Sequence, residues 1–291
     1  MYNLIMLKGY DLQNDLKALI YEKDATIEEL SLAFDVSTRT LINVLNKNID
    51  VDKDILEKIY SYFYRHHYDL NHLKEEEYKD IYEDKILFHG AKDEIKELTH
   101  NGSRANCDFG KGFYLGESLD SANSFVSEYP KSSVYIFSYN LKDLKVYTLQ
   151  SDLEYVLAIS YYRGYLSNYI NHPTIKKIVE KIESCDLIIA PIADNHMFYI
   201  ISLFAKGEIT DLEAKASLTN SSLGKQFVFK SAKGINSLKS LERLYLTNLE
   251  KEKYSSYKPE RAKEIDQELK AAKKAYRGKG KYIEEILNER I

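Results

Sequence analysis

The 291-residue chain has no tryptophan and only two cysteines, Cys107 and Cys185. These lie far apart and form no C-x-x-C, which argues against a disulfide scaffold and a zinc ribbon. Basic charge is not in excess: 41 Lys and Arg stand against 45 Asp and Glu, a formal net of −4. That balance excludes a chain that coats nucleic acid by bulk charge, while leaving room for a local basic patch. Long hydrophobic runs are also missing. The longest, such as Leu187–Ile192 and Tyr199–Phe204, are far short of a membrane span. The apolar start from Met1 to Lys8 has neither a basic region nor a small-residue cleavage site, so no signal peptide is read. A cytoplasmic protein without a membrane partner is expected. There is no P-loop and no Rossmann fingerprint. His66, His67 and His72 lack cysteine or carboxylate support at ligand spacing, so no metal is expected.

What is present reads as globular. Hydrophobic residues make up 44% and charged residues 30%, and the length suggests two domains with a substantial core. Residues 1–68 are helical in pattern, with no glycine between Gly9 and Gly90. Leu12, Leu16, Leu19 and Ile20 share one face of a first helix. Thr26 and Glu29 form a capping box that opens a second, Ser37 caps a third, and Asp52–Tyr64 is a fourth. Residues 69–84 are charge-dense and read as a solvated helix or linker. From Lys85 to 249, short β-type runs at Ile86–His89, Phe113–Leu115, Ser133–Tyr139, Leu187–Ala190, Gln226–Lys230 and Leu244–Leu246 alternate with helical stretches. Such alternation predicts an α+β domain. Thr210 and Glu213 predict a second capping box. Residues 250–291 form a helical tail with 12 basic and 9 acidic side chains; Ile265, Leu269 and Ala272 give one stripe, and Tyr282, Ile283, Ile286 and Leu287 a second helix.

Thr26 to Asn48 resembles the helix-turn-helix of phage-repressor-like transcription factors. Leu30, Ala33, Val36, Leu41 and Val44 would fix the angle between two helices. The exposed face of the second would carry Thr38, Arg39, Asn43, Asn46 and Lys47, side chains that read base edges or clamp phosphates. Against DNA stands the local charge: 11 acidic and 7 basic residues from Tyr10 to Arg65. A protein-docking or dimerisation module is the alternative, as is a unit that senses or neutralises the rest of the chain.

The segment Leu87-Phe88-His89-Gly90, followed by Asp108-Phe109-Gly110-Lys111-Gly112-Phe113-Tyr114-Leu115, resembles a bacterial domain family of unassigned role. That family is related to ADP-ribosyltransferases of the diphtheria-toxin and poly(ADP-ribose) polymerase type. The resemblance covers about Lys85 to Leu246 and continues into Ile192-Ala193-Asp194-Asn195 and Leu223-Gly224-Lys225-Gln226-Phe227. It implies a split β-sheet fold that takes NAD as its substrate. His89 would hydrogen-bond a ribose hydroxyl, Tyr114 would stack on the nicotinamide, and both would line one cleft. Gly90 would leave backbone groups for the nicotinamide amide. Gly110 and Gly112 would let backbone approach the cofactor, with Phe109 and Phe113 beside them. Arg104 would pair with the pyrophosphate, with Ser103 and Asp108 as further contacts. The third signature position falls on Gln226, where the better-known enzymes carry glutamate; glutamine keeps the hydrogen bond and loses the charge. Glu154 is a candidate replacement carboxylate.

The resemblance implies a mono-ADP-ribosyltransferase, of the kind used as a toxin or an anti-phage effector, acting on a protein, a nucleic acid or water. A cognate antitoxin or a dimer partner fits that picture. The alternative is a DNA-binding transcription regulator whose C-terminal unit senses NAD or a nucleotide without turnover.

Overall fold

The computed structural model describes residues 6–47, 49–193, 195–218, 224–256 and 261–288. Asp194 and Leu223 lie outside the described residues, as does the side chain of Ile265. The chain is α+β: among the described residues, fourteen α-helices accompany one mixed seven-stranded sheet. No helix among them is long and apolar enough to cross a membrane.

Four helices open the chain: α1 (Leu12–Lys23), α2 (Ile27–Phe34), α3 (Thr38–Lys47) and α4 (Lys53–Arg65). The Thr26–Glu29 capping box starts α2, with both reciprocal bonds formed. Ser37 Oγ accepts from the Thr40 backbone N–H at the start of α3, and Asp52 caps α4. Leu30, Val36, Leu41 and Val44 are buried together with Phe34. Ala33 is exposed, contrary to expectation. The α2 stripe falls on Leu30 and Phe34, one helical turn apart, so Ala33 rotates outward.

Helix α5 (Leu70–Tyr82) occupies the segment expected to be solvated, yet Asn71, Lys74 and Glu75 are buried. It is a wedge between the helical unit and the sheet. Lys74 Nζ reaches Asp15 of α1 at 2.7 Å and also pairs with Glu242. Tyr60 of α4 donates to Asp15 at 2.7 Å, and Tyr78 donates to Glu242 at 2.9 Å. Beside this ion cluster, Tyr245 stacks on Tyr60 with centroids 5.2 Å apart and meets Tyr10 edge-on at 5.6 Å.

The sheet runs β4 (Val146–Thr148), β5 (Leu187–Pro191), β6 (Lys225–Phe229), β2 (Phe113–Gly116), β1 (Ile86–Ala91), β3 (Ser133–Tyr139), β7 (Leu238–Leu244). Only β4 and β5 are parallel neighbours; the other pairs are antiparallel. β4 escapes sequence reading because it is three residues long and lies at an edge. β7 starts six residues before the expected strand, because Lys239, Glu242 and Arg243 mask its alternation. Its buried charges are paired: Glu242 with Lys74, and Arg243 with Ser133 Oγ at 3.0 Å. The N-terminal segment runs along β7 through Lys8 N–H to Ser240 Oγ and Arg243 N–H to Gly9 O, which covers that edge.

The sheet is continuous in connectivity but joined by very little in its middle. β1 pairs with β3 at six positions and β2 with β6 at four, whereas β1 and β2 share one, Phe88↔Gly116. Two half-sheets, β7-β3-β1 and β2-β6-β5-β4, therefore meet at a seam.

Helix α6 (Leu119–Val126) covers one half-sheet with Ile86, Phe88 and Val134. Helices α7 (Leu153–Tyr162), α8 (Pro173–Glu183), α9 (Asn195–Ala205) and α10 (Asp211–Leu218) cover the other through Ile188, Ala190 and Val228. The Thr210–Glu213 box caps α10 as expected. Short α11 (Ala232–Asn236) precedes β7. Tail helices α12 (Asn248–Ser256), α13 (Arg261–Ala275) and α14 (Ile283–Asn288) pack back: Tyr254 on α6, and Leu269, Ile283 and Leu287 in the same core as α9 and α10.

Candidate functional site

The strands on either side of the seam carry the motif residues. His89 sits on β1, Tyr114 on β2 and Gln226 on β6, three neighbouring strands. Beyond Phe88↔Gly116 no further register pair joins β1 to β2. There the His89 side chain takes over: its Nδ1 lies 2.6 Å from the carbonyl oxygen of Tyr114. A carbonyl can only accept, so Nδ1 carries the proton. Burial lowers the imidazole below its ordinary pKa, against an opposing pull from that carbonyl. The neutral ring therefore presents Nε2 as an acceptor, and Nε2 has no hydrogen bond among the described residues.

The two rings do not face each other. His89 stacks on Phe113 at 4.5 Å and shares the face of Leu87 and Leu115. Tyr114, one residue on from Phe113, alternates to the other face and packs near Val228. The expected clasp between imidazole and phenol is thus a junction at the seam, with one ring on each face.

The Tyr114 hydroxyl is held by the preceding turn. It donates to Gly110 O at 2.7 Å and accepts from the Phe109 N–H at 3.1 Å. Burial raises its pKa well above the ordinary phenol value. With both hydroxyl functions engaged, the ring surface is what Tyr114 has left to offer. Ser103 supports the same turn by accepting from the Gly112 N–H at 3.0 Å, and Lys230 Nζ donates to Phe109 O at 2.7 Å.

The glycines are required by protein neighbours. Gly110 has φ +71°, and a Cβ there would lie 2.7 Å from the Tyr162 ring. A Cβ on Gly112 would come within 2.5 Å of Val228 Cγ1, and one on Gly90 within 2.6 Å of Ala122 O. Phe109 and Phe113 are buried in the core, so their side chains are committed to packing. Arg104 is exposed in the loop before the turn.

Asp108 is buried and serves Gln226. Arg163 Nη2 donates to Asp108 Oδ1 at 2.6 Å, and Gln226 Nε2 lies 3.2 Å from Oδ2. Gln226 Nε2 also donates to Pro191 O at 2.9 Å. Burial raises the Asp108 carboxyl above its ordinary pKa; the Arg163 guanidinium opposes the rise without cancelling it. Arg163 in turn stacks over Phe198 at 3.9 Å. Sequence reasoning missed Arg163, Pro191 and Phe198; a lone arginine directly behind the apolar run of α7 was the one available signal. Glu154 is engaged elsewhere, 2.6 Å from Lys181.

In the helical unit, Arg39, Asn46 and Lys47 are exposed on α3 and Asn43 is half-buried. Thr38 Oγ1 is turned inward, 3.1 Å from Ser31 Oγ. Two cavities, of about 380 and 700 Å³, lie where α4 meets α12, away from the motifs. Among the described residues, no group of three or more His, Cys, Asp or Glu side chains is placed to hold a metal.

No curated protein and no solved structure matches the chain. A protein-family model does, over residues 85–240, the stretch that runs from the start of β1 into β7 and contains every residue of the seam. The chain belongs to the family described as Protein of unknown function (DUF3990).

Proposed function

We propose that the seam binds NAD and that the protein is a mono-ADP-ribosyltransferase. The observation that carries this reading is the His89 Nδ1–Tyr114 O bond across the one-pair joint, with Gln226 on the next strand. It gathers the three signature positions of the resemblance on adjacent strands. In the reaction the C1′–N bond to nicotinamide breaks, nicotinamide leaves with the electron pair, and an acceptor atom bonds to C1′ while its proton passes to solvent. A transition state with oxocarbenium character needs its ribose held. On the face shared by Tyr114 and Gln226 the Tyr114 ring stacks on the departing nicotinamide, worth about 1 kcal/mol, and Gln226 accepts from a ribose hydroxyl, while His89, on the opposite face, holds the Tyr114 backbone that carries the ring. The exposed Arg104 is the candidate for the pyrophosphate.

The test is incubation of the purified chain with adenylate-labelled NAD and cell lysate, with nuclease and protease controls. Nicotinamide release and transfer of one ADP-ribose, both reduced in His89→Ala and Tyr114→Ala, are expected. If the protein neither binds nor consumes NAD at about 1 mM, the top of the usual KM range, the reading is wrong.

The exposed row Arg39, Asn46 and Lys47 on α3, behind a capped turn, favours a second reading in which the helical unit binds DNA and the seam only senses NAD. Sequence-specific retention on DNA weakened by Arg39→Ala and Asn43→Ala, without NAD turnover, is the outcome that selects it.

A further inference from the structure

Gln226 stands where the resemblance puts a glutamate, and its surroundings explain the amide. Nε2 has two neighbours, Pro191 O at 2.9 Å and Asp108 Oδ2 at 3.2 Å. The Pro191 carbonyl and a carboxylate held by Arg163 can only accept, so together they turn the amide nitrogen toward themselves. Oε1 is thereby turned to the other side. It has no hydrogen bond among the described residues, in a side chain that is otherwise buried. A glutamate in this place would set a carboxylate oxygen against the Asp108 carboxylate and the Pro191 carbonyl together. Asp108 is itself fixed by Arg163, at 2.6 Å from Nη2 and 3.2 Å from Nε.

We infer that Asp108 is a positioning residue: with Pro191 O it locks the Gln226 amide so that Oε1 accepts a ribose hydroxyl of the bound dinucleotide. This rests on the seam being the NAD site. Glutamine at 226 is then not a degraded glutamate. It is the side chain that keeps a free acceptor while giving the buried Asp108–Arg163 pair a donor.

The experiment compares the full chain with Asp108→Asn, Gln226→Glu and the double variant, measuring NAD turnover and thermal unfolding across about pH 5 to 9, where free carboxylates of Asp and Glu are ionised. Asp108→Asn is expected to lose about tenfold in turnover through freeing the amide to flip. Gln226→Glu is expected to lose about ten- to a hundredfold at the alkaline end and to recover as the pH falls, because a proton shared between two carboxyls restores the donor. Adding Asp108→Asn to Gln226→Glu is expected to regain about tenfold and flatten that pH profile. A role in stability alone would not produce this profile or the rescue. The inference is overturned if Asp108→Asn turns over NAD like the parent, or if Gln226→Glu is as active as the parent at every pH. Should Gln226→Glu not fold, Asp108→Asn and the double variant still decide. A parent protein that neither binds nor consumes NAD overturns the seam reading, and the ribose contact with it; a parent that turns over NAD beside unaffected variants overturns the positioning role alone.

Discussion

The imidazole of His89 donates through Nδ1 to the backbone oxygen of Tyr114 at 2.6 Å, tying β1 to β2 where their ladder has ended. His89→Ala removes this tie. NAD turnover is expected to fall about ten- to a hundredfold, the scale of one buried hydrogen bond that positions the Tyr114 strand. The same residue makes an acid-labile point. Its folded pKa lies below the ordinary value, so the unfolded chain binds a proton more readily. The stability His89 contributes is complete above about pH 6.5 and declines as the pH falls below it. Urea unfolding should show parent stability falling relative to His89→Gln on acidification.

Tyr114→Phe separates the ring from the hydroxyl. The ring remains, so NAD binding by calorimetry should change little. Gly110 O and the Phe109 N–H lose their partner, which should cost about 1–3 kcal/mol in unfolding free energy. Tyr114→Ala removes the ring as well and should weaken NAD binding about fivefold.

Gly110→Ala faces two obstacles at once, a positive φ and the Tyr162 ring 2.7 Å from the new methyl. A loss of at least about 1–3 kcal/mol is expected from denaturant melts. Gly164→Ala, with φ +81° but nothing within 4 Å, should cost less; equal losses would show that the ring contact is without consequence.

Lys74→Met leaves Asp15 and Glu242 buried without their cation. Breaking one partner of a buried ion cluster costs about 3–5 kcal/mol. Burial already raises both carboxyls, with Lys74 opposing, and without the lysine they rise further. Carboxyls raised in the folded state favour folding at low pH and lose that contribution as the pH climbs through their folded pKa. Lys74→Met should therefore regain thermal stability on mild acidification, which circular dichroism melts can follow.

Local chemistry made much of the fold legible. The capping boxes at Thr26 and Thr210 and the apolar runs of β1, β3, β5 and β6 announce themselves because their signals lie within a few residues. β7 and the burial of α5 were hidden for the same physical reason: their charged side chains are buried against partners distant in sequence, such as Lys74 with Asp15 and Glu242, and no window of neighbours reveals that. The motif residues at 89, 114 and 226 could be singled out from the chain alone. Their arrangement could not. The opposed faces of His89 and Tyr114 follow from strand register, and the Asp108–Arg163–Gln226 network depends on how α7 settles over the sheet.

The ion cluster around Lys74 has a consequence for anyone cutting the gene. The 85–240 segment marked by the family match stops inside β7, before Glu242, and starts after the lysine that neutralises it. A fragment trimmed to those limits would end midway through an edge strand and shed the tyrosines that shelter it. Lys8, Gly9 and Lys74 thus cover that strand's unpaired border, and a fragment has to keep them to keep β7 partnered.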